Sequence, residues 1–232
     1  MSLYFWVITL SFIGPFLLSF DKKIAFYKNW RFLLPSILLV ALFFICWDEW
    51  FTTIGVWGFT PKYLQGIYAG HLPLEEILFF IVIPYNCLFI HEVLKGYFPL
   101  ISLKTFSFGF IYVFGLSALL LSLFNLDNYY FNLDNYYTLS ATALAFGLTL
   151  FLVQQKKIWF SQFVLTYIVC LIPFLVVNGI LTGQFTEEPI VWYSEKHIVG
   201  FRLGTIPLED LFYNYCLILP IIWIYERLKN SY

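Results

Sequence analysis

The sequence predicts an all-α integral membrane protein of seven transmembrane helices, arranged as two parallel three-helix repeats joined by a linker helix. Three observations predict it. The 232 residues are 61% apolar and 23% aromatic with only 12% charged, against roughly 45–50% apolar and about 25% charged in soluble domains. The apolar residues gather in seven stretches, each near the ~17–25 residues that cross hydrocarbon as a helix. One acid-headed stretch occurs twice, 134 residues apart, with no gap in its alignment.

In chain order the stretches are 3–20, 32–47, 73–94, 101–126, 137–153, 158–181 and 207–226. The first has no basic leader and no small-residue cleavage pattern before Asp21-Lys22-Lys23, so it is expected to be a retained helix and not a cleaved signal. The second runs into Asp48-Glu49. The third opens with Pro73-Leu74-Glu75-Glu76 and closes with Glu92-Val93-Leu94-Lys95. The fourth connects the halves, and the fifth is diluted by Ser140, Thr142, Gly147 and Thr149. The sixth carries Asn178. The seventh opens with Pro207-Leu208-Glu209-Asp210 and closes with Glu226-Arg227-Leu228-Lys229.

Over the 23 aligned positions of the third and seventh stretches seven residues are identical, and the register continues upstream, where Gly66-x-x-x-Gly70-x-x-Pro73 matches Gly200-x-x-x-Gly204-x-x-Pro207. Shared apolar composition does not reproduce glycines, prolines and carboxylates in step. Asp48 and Thr52 have counterparts in Asn178 and Thr182. Three spans plus one linker span is an even number, so the second copy enters the membrane with the orientation of the first, a parallel repeat about an axis along the membrane normal. The expected division is a first repeat at 1–97, a linker span and loop at 98–136 and a second repeat at 137–232. The segment Asn125-Leu126-Asp127-Asn128-Tyr129-Tyr130-Phe131 is followed by Asn132-Leu133-Asp134-Asn135-Tyr136-Tyr137, a tandem duplication to which no chemistry attaches.

A net charge of −1 gives no sign of a nucleic-acid partner. The basic residues are informative by position. Lys22, Lys23, Lys28, Arg31, Lys95, Lys104, Lys156, Lys157, Arg227 and Lys229 fall in alternate connections, leaving Lys62, Lys196 and Arg202 on the other side. By the positive-inside bias this puts the N-terminus outside and the C-terminus in the cytoplasm, for a multi-pass protein of the cell (inner) membrane. The outer connections, 48–72 and 182–206, hold Trp50, Trp57, Tyr63, Tyr68, Trp192 and Tyr193, for which an interfacial aromatic belt is the plain explanation. Cys46, Cys87, Cys170 and Cys216 lie within spans at unrelated spacings and read as packing residues, with no disulfide framework or metal site.

Carboxylates at the end of a membrane span carry a desolvation cost and usually signal function. Glu75, Glu76, Glu209 and Asp210 are therefore the candidate catalytic residues. A proline at the first helical turn followed by an acid also reads as a plain helix cap. One acid suffices for a cap, however, and each motif presents two, about 100° apart on the helix. A carboxyl group buried in a bundle stays protonated near neutrality, the more so beside a second carboxylate, and is a competent general acid. Asp48, Glu49, Asn178, His71 and Arg202 lie on the same side and are candidate supporting residues, although His71 reads more readily as an interfacial histidine without a role. Arg202 occurs only beside the second motif, where a guanidinium favours the ionised carboxylate; the second pair is then the expected base and the first the expected acid. Glu75 and Glu209 are expected on inward faces, nearer each other than to Glu92 or Glu226. The latter two lie roughly 25 Å further along at about 1.5 Å per residue, each with lysine at i+3, as in a surface ion pair. Asn86, Asn178 and Asn214 read as interhelical hydrogen-bonding amides.

The doubled Pro-Leu-Glu-[Glu/Asp] motif at 73–76 and 207–210, each preceded by Gly-x-x-x-Gly in a chain of two three-span halves, closely resembles the membrane-integral lycopene cyclases. These occur as heterodimers of small subunits in some actinobacteria and as fused chains in archaea, fungi and Bacteroidetes. The resemblance covers nearly the whole chain. It implies an intramolecular lyase/isomerase that closes the acyclic ends of lycopene into β-ionone rings, giving γ- and then β-carotene without redox change. One protonated carboxyl, one base and a dry aromatic cavity meet that chemistry. No Gly-x-Gly-x-x-Gly fingerprint is present, so no flavin or other cofactor is expected, and no metal. The implied partners are lycopene and the lipid bilayer, with self-association or association with other carotenoid-pathway enzymes compatible. Two other readings stay open: a small parallel-repeat transporter, whose site belongs near the midplane, and a carotenoid end-group hydratase, in which water captures the cation. The sequence does not separate one cyclised end from two, or a β from an ε ring.

Overall fold

The computed structural model describes residues 2–98, 104–127, 135–155 and 159–231. Seven long helices carry these residues: α1 (Leu3–Leu18), α2 (Trp30–Thr53), α3 (Leu74–Tyr97), α4 (Lys104–Asp127), α5 (Tyr136–Gln155), α6 (Trp159–Leu181) and α7 (Glu209–Asn230). Each coincides with one apolar stretch to within a few residues. Ser2 caps α1, its hydroxyl accepting the Phe5 amide at 3.3 Å. The hydroxyls that dilute the fifth stretch turn back onto their own helix, Thr142 donating to the Thr138 carbonyl and Thr149 to that of Ala145. Most of the tandem duplication, at 128–134, and the pair Lys156-Lys157 lie outside the described residues.

Helix α7 packs against α2, α3, α5 and α6, and six consecutive residues, Asn214–Leu219, are buried. It is the central helix. Segments Phe26–Thr53, Leu74–Tyr97 and Ser161–Leu181 are long and apolar enough to cross a membrane, and Leu3–Leu18, Tyr112–Leu121 and Tyr136–Phe151 are shorter apolar helices. Helix α7 is in neither group, because a helix wrapped by protein on all sides can carry polar residues that a hydrocarbon-facing helix cannot. The outward faces of α1, α2 and α6 are the reverse, with Leu10, Leu39, Leu42 and Ile172 between 62% and 68% exposed. Helices apolar inside and outside suit a hydrocarbon solvent.

Six short strands order the two long connections: β1 (Trp57–Phe59), β2 (Tyr68–Ala69), β3 (Leu72–Pro73), β4 (Val191–Tyr193), β5 (Arg202–Leu203) and β6 (Ile206–Pro207). Strands β2 and β3 form one hairpin and β5 and β6 another, each leading into a motif helix. Gly70 and Gly204 take the first position of the two-residue turns, with φ of 66° and 64°, the left-handed backbone such turns require. Of the four glycines that marked the sequence register, Gly70 and Gly204 are thus hairpin-turn residues. Pro73 and Pro207 end β3 and β6, where a first-turn helical position was expected; the helices start one and two residues later. Strands β1 and β4 pair antiparallel, Trp57 opposite Tyr193, and tie the connections together. Trp57 and Tyr63 are buried, which corrects the aromatic-belt expectation for these two, whereas Trp50, Tyr68 and Trp192 are exposed.

Candidate active site at the motif end of the bundle

All four motif acids are buried, and the two members of each pair do different things. Glu75 Oε1 accepts the Ser2 hydroxyl at 2.7 Å and the Gln65 amide at 2.6 Å. Glu209 Oε1 accepts the Thr138 hydroxyl at 2.5 Å and the Val199 amide at 2.7 Å. The same contact recurs in both halves, the amide ten residues upstream each time. These acids pin a connection and a neighbouring helix start to the motif helix. Glu76 and Asp210, about 100° further round their helices, enter a shared pocket instead. There Glu76 accepts from the Tyr4 hydroxyl at 2.5 Å. Asp210 accepts from Tyr137 at 2.5 Å, the Asn178 amide at 2.6 Å and Tyr193 at 3.0 Å.

The pocket is small, about 50 Å³. Asp48 lines it with Glu76 and Asp210 and takes a hydrogen bond from the Trp57 indole. Its walls are otherwise aromatic, with Trp57, Tyr137, Tyr193 and Tyr213 foremost, and no lysine or arginine is among its described lining residues. Burial, and then the neighbouring Asp210, hold the Tyr193 hydroxyl well above its ordinary pKa, so it stays a donor. Phe79, Phe174, Asn178 and Asn214 also line a second cavity of about 430 Å³ between α1, α3 and α6. That cavity is almost wholly apolar. An aromatic pocket holding three carboxyl groups therefore adjoins an apolar compartment of ligand-binding size.

Of the supporting candidates, Asp48 and Asn178 join the pocket and three do not. Glu49 and His71 pair with each other at 2.6 Å on an exposed face. Arg202 is engaged by the Glu195 carboxylate at 2.7 Å and the Thr205 carbonyl at 2.8 Å. The expected asymmetry from Arg202 thus lacks its contact, because the β5–β6 hairpin turns the guanidinium onto its own loop. Sequence reasoning missed Tyr4, Tyr137, Tyr193, Trp57 and Tyr213. A signal existed for two: Tyr4 and Tyr137 stand 72 and 73 residues before the acids they bind, each in the opening helix of its half.

At the opposite end Glu92 and Glu226 are 8% and 4% exposed, where surface ion pairs were expected. Their lysines cross over. Lys229 binds Glu92 at 2.6 Å and Lys95 binds Glu226, while Lys95 to its own i+3 partner Glu92 is 3.4 Å. Buried His91 joins Glu226 at 2.9 Å and Thr166 at 2.8 Å. The convergence of α3 and α7 encloses these groups. His91, Glu92 and Glu226 have potential metal-ligand atoms within 4.8 Å of one another, but both carboxylates already carry an ammonium group.

A family model described as lycopene cyclase matches residues 1–94 and 134–228. The chain belongs to the lycopene cyclase family. That makes it a carotenoid cyclase, and its apolar helices accord with a membrane protein. No curated relative and no solved structure matches it. The two matched stretches contain both acid motifs and all the carboxyl groups of the pocket.

Proposed function

We propose that the chain is a lycopene β-cyclase, an intramolecular lyase/isomerase that closes β-ionone rings on lycopene by acid–base chemistry without redox change or cofactor. The observation that carries this reading is the meeting of Asp48, Glu76 and Asp210 in one aromatic pocket beside an apolar cavity. The polyene lies in the cavity with its end group in the pocket. Asp48 and Glu76 face the pocket with no cation beside them, an arrangement stable when one carries a proton; they protonate the terminal double bond. The adjacent double bond attacks the tertiary cation and closes the ring. Asp210, which accepts hydrogen bonds from Tyr137, Asn178 and Tyr193, takes the ring proton and leaves the β double bond. Trp57, Tyr137, Tyr193 and Tyr213 offer their faces to the passing cation and, with the chain end in the pocket, leave little room for water. The hydratase alternative needs that room. The transporter alternative needs a midplane site, whereas these acids lie at helix ends.

The architecture belonging to this reading has seven spans, with residues 1–97 and 137–232 as parallel repeats and 98–136 as linker. Its N-terminus is outside the cell membrane and its C-terminus in the cytoplasm. Support comes from the recurrence of the Glu75 and Glu209 contacts in both halves. Expression in a lycopene-accumulating bacterium tests the activity. Cyclic carotenes in the extract are the expected outcome, and unchanged lycopene beside well-expressed membrane protein rejects it.

A further inference from the structure

The proposed reaction makes no net protons, yet every ring closure moves one. An acid on one side of the pocket loses a proton to the chain end and a base on the other side gains one from the ring. Each cycle therefore leaves both groups in the wrong state. The proton must travel back from Asp210 to the Asp48–Glu76 pair before the next closure. The hydrogen-bond partners of the two sides do not overlap: Tyr137, Asn178 and Tyr193 serve Asp210, Tyr4 serves Glu76 and Trp57 serves Asp48.

Tyr213 bridges that gap. It lines the pocket with all three carboxyl groups. Its ring packs on Trp47 and Trp57 of one half, at centroid distances of 5.3 and 6.0 Å, and on Tyr137 of the other at 5.9 Å. Its hydroxyl is buried and has no hydrogen-bond partner among the described residues, although the other pocket tyrosines, Tyr4, Tyr137 and Tyr193, are all bonded. Buried phenols ordinarily find partners. One left free among three carboxyl groups is available to the reaction.

We infer that Tyr213 is the proton-return relay of this site, an assignment that rests on the cyclase reading. In the return step protonated Asp210 gives its proton to the Tyr213 oxygen while the phenol proton passes to the ionised carboxylate of the Asp48–Glu76 pair. One O–H bond breaks at Asp210 and one at Tyr213; one forms at Tyr213 and one at the acceptor, and a water that bridges either gap takes up one proton as it passes another on, so that it is unchanged in net. After product leaves, the pocket has room for a water molecule to complete the contacts. Substrate in the pocket blocks the path, so the proton returns only between turnovers.

The test compares purified wild type and Tyr213→Phe in detergent with lycopene, following the first turnover by rapid quench and the steady state by pigment separation. A wild type that converts no lycopene removes the cyclase reading itself, before the relay is in question. With an active wild type, the variant is expected to close about one ring per protein at the wild-type rate and then run about 10²-fold slower. An unchanged steady state overturns the relay. So does loss of the first turnover, which makes the hydroxyl part of ring closure. If the phenylalanine variant fails to fold, 3-fluorotyrosine at position 213 replaces it. A changed steady state with an unchanged first turnover supports the relay, and no change in either overturns it.

Discussion

At the scale of the residue, adjacent acids in one motif are given different work by a single step of helix rotation. Glu75 and Glu209 each accept two hydrogen bonds at Oε1, while Oε2 has no hydrogen-bond partner among the described residues. Replacing either with glutamine keeps an acceptor at Oε1 and buries an unpaired NH₂, at a cost of about 1–3 kcal/mol. Thermal unfolding in detergent is expected to shift down while ring closure per folded molecule persists; loss of cyclisation at unchanged stability contradicts the assignment. Asp48→Asn reproduces what stands at the corresponding position, Asn178. The Trp57 bond survives through the amide oxygen, but the pocket loses a proton-carrying group, so turnover is expected to fall by about 10²-fold or more. Normal pigment yield from Asp48→Asn removes that residue from the acid. The sequence showed which side chains to examine, since buried acids at span ends are costly. It did not show the division within each pair, which depends on backbone amides and hydroxyls supplied by other segments.

At the scale of the element, the seven helices were legible because long apolar runs have few alternatives to a helix in hydrocarbon. The hairpins were not, because two-residue strands have no periodicity to read. Their glycines were visible, but as spacing. The positive φ at Gly70 and Gly204 now makes a graded prediction. A Cβ on Gly70 meets the Glu49 carboxylate at 2.6 Å, whereas on Gly204 the nearest atom is at 3.6 Å. Gly204→Ala is expected to cost about 1–2 kcal/mol from backbone conformation alone, and Gly70→Ala more, because the half-buried Glu49 carboxylate must also give way. Equal melting shifts for the two variants are the contrary result. The crossed pairs at the other end of α3 and α7 make a second. Lys95→Met removes the ammonium group from Glu226 and leaves it the His91 contact; since Lys95 is 23% exposed and His91 stays in place, about 2–3 kcal/mol is expected, below the 3–5 of a fully buried pair. Restored stability is expected when Glu226→Gln is added, and strict additivity of the two losses contradicts the pairing.

At the scale of the whole molecule, the repeat visible in the sequence predicted inward-facing acids near one another but not which side chains of the two halves meet. Lys95 reaches Glu226 across 131 residues and Lys229 reaches Glu92 across 137, distances over which spacing carries no information. Likewise the pocket draws Asp48 and Glu76 from one half and Asn178 and Asp210 from the other. The central claim is that these halves build one reaction chamber, in which both chain ends of lycopene are processed in turn. Two independent chambers, one for each end, are the rival arrangement. Pigment analysis of lycopene-accumulating cells carrying Glu76→Gln or Asp210→Asn separates them. A single chamber predicts that either variant, present in the membrane at wild-type level, leaves lycopene uncyclised. Accumulation of monocyclic γ-carotene with either variant, one end closed and the other untouched, would contradict it.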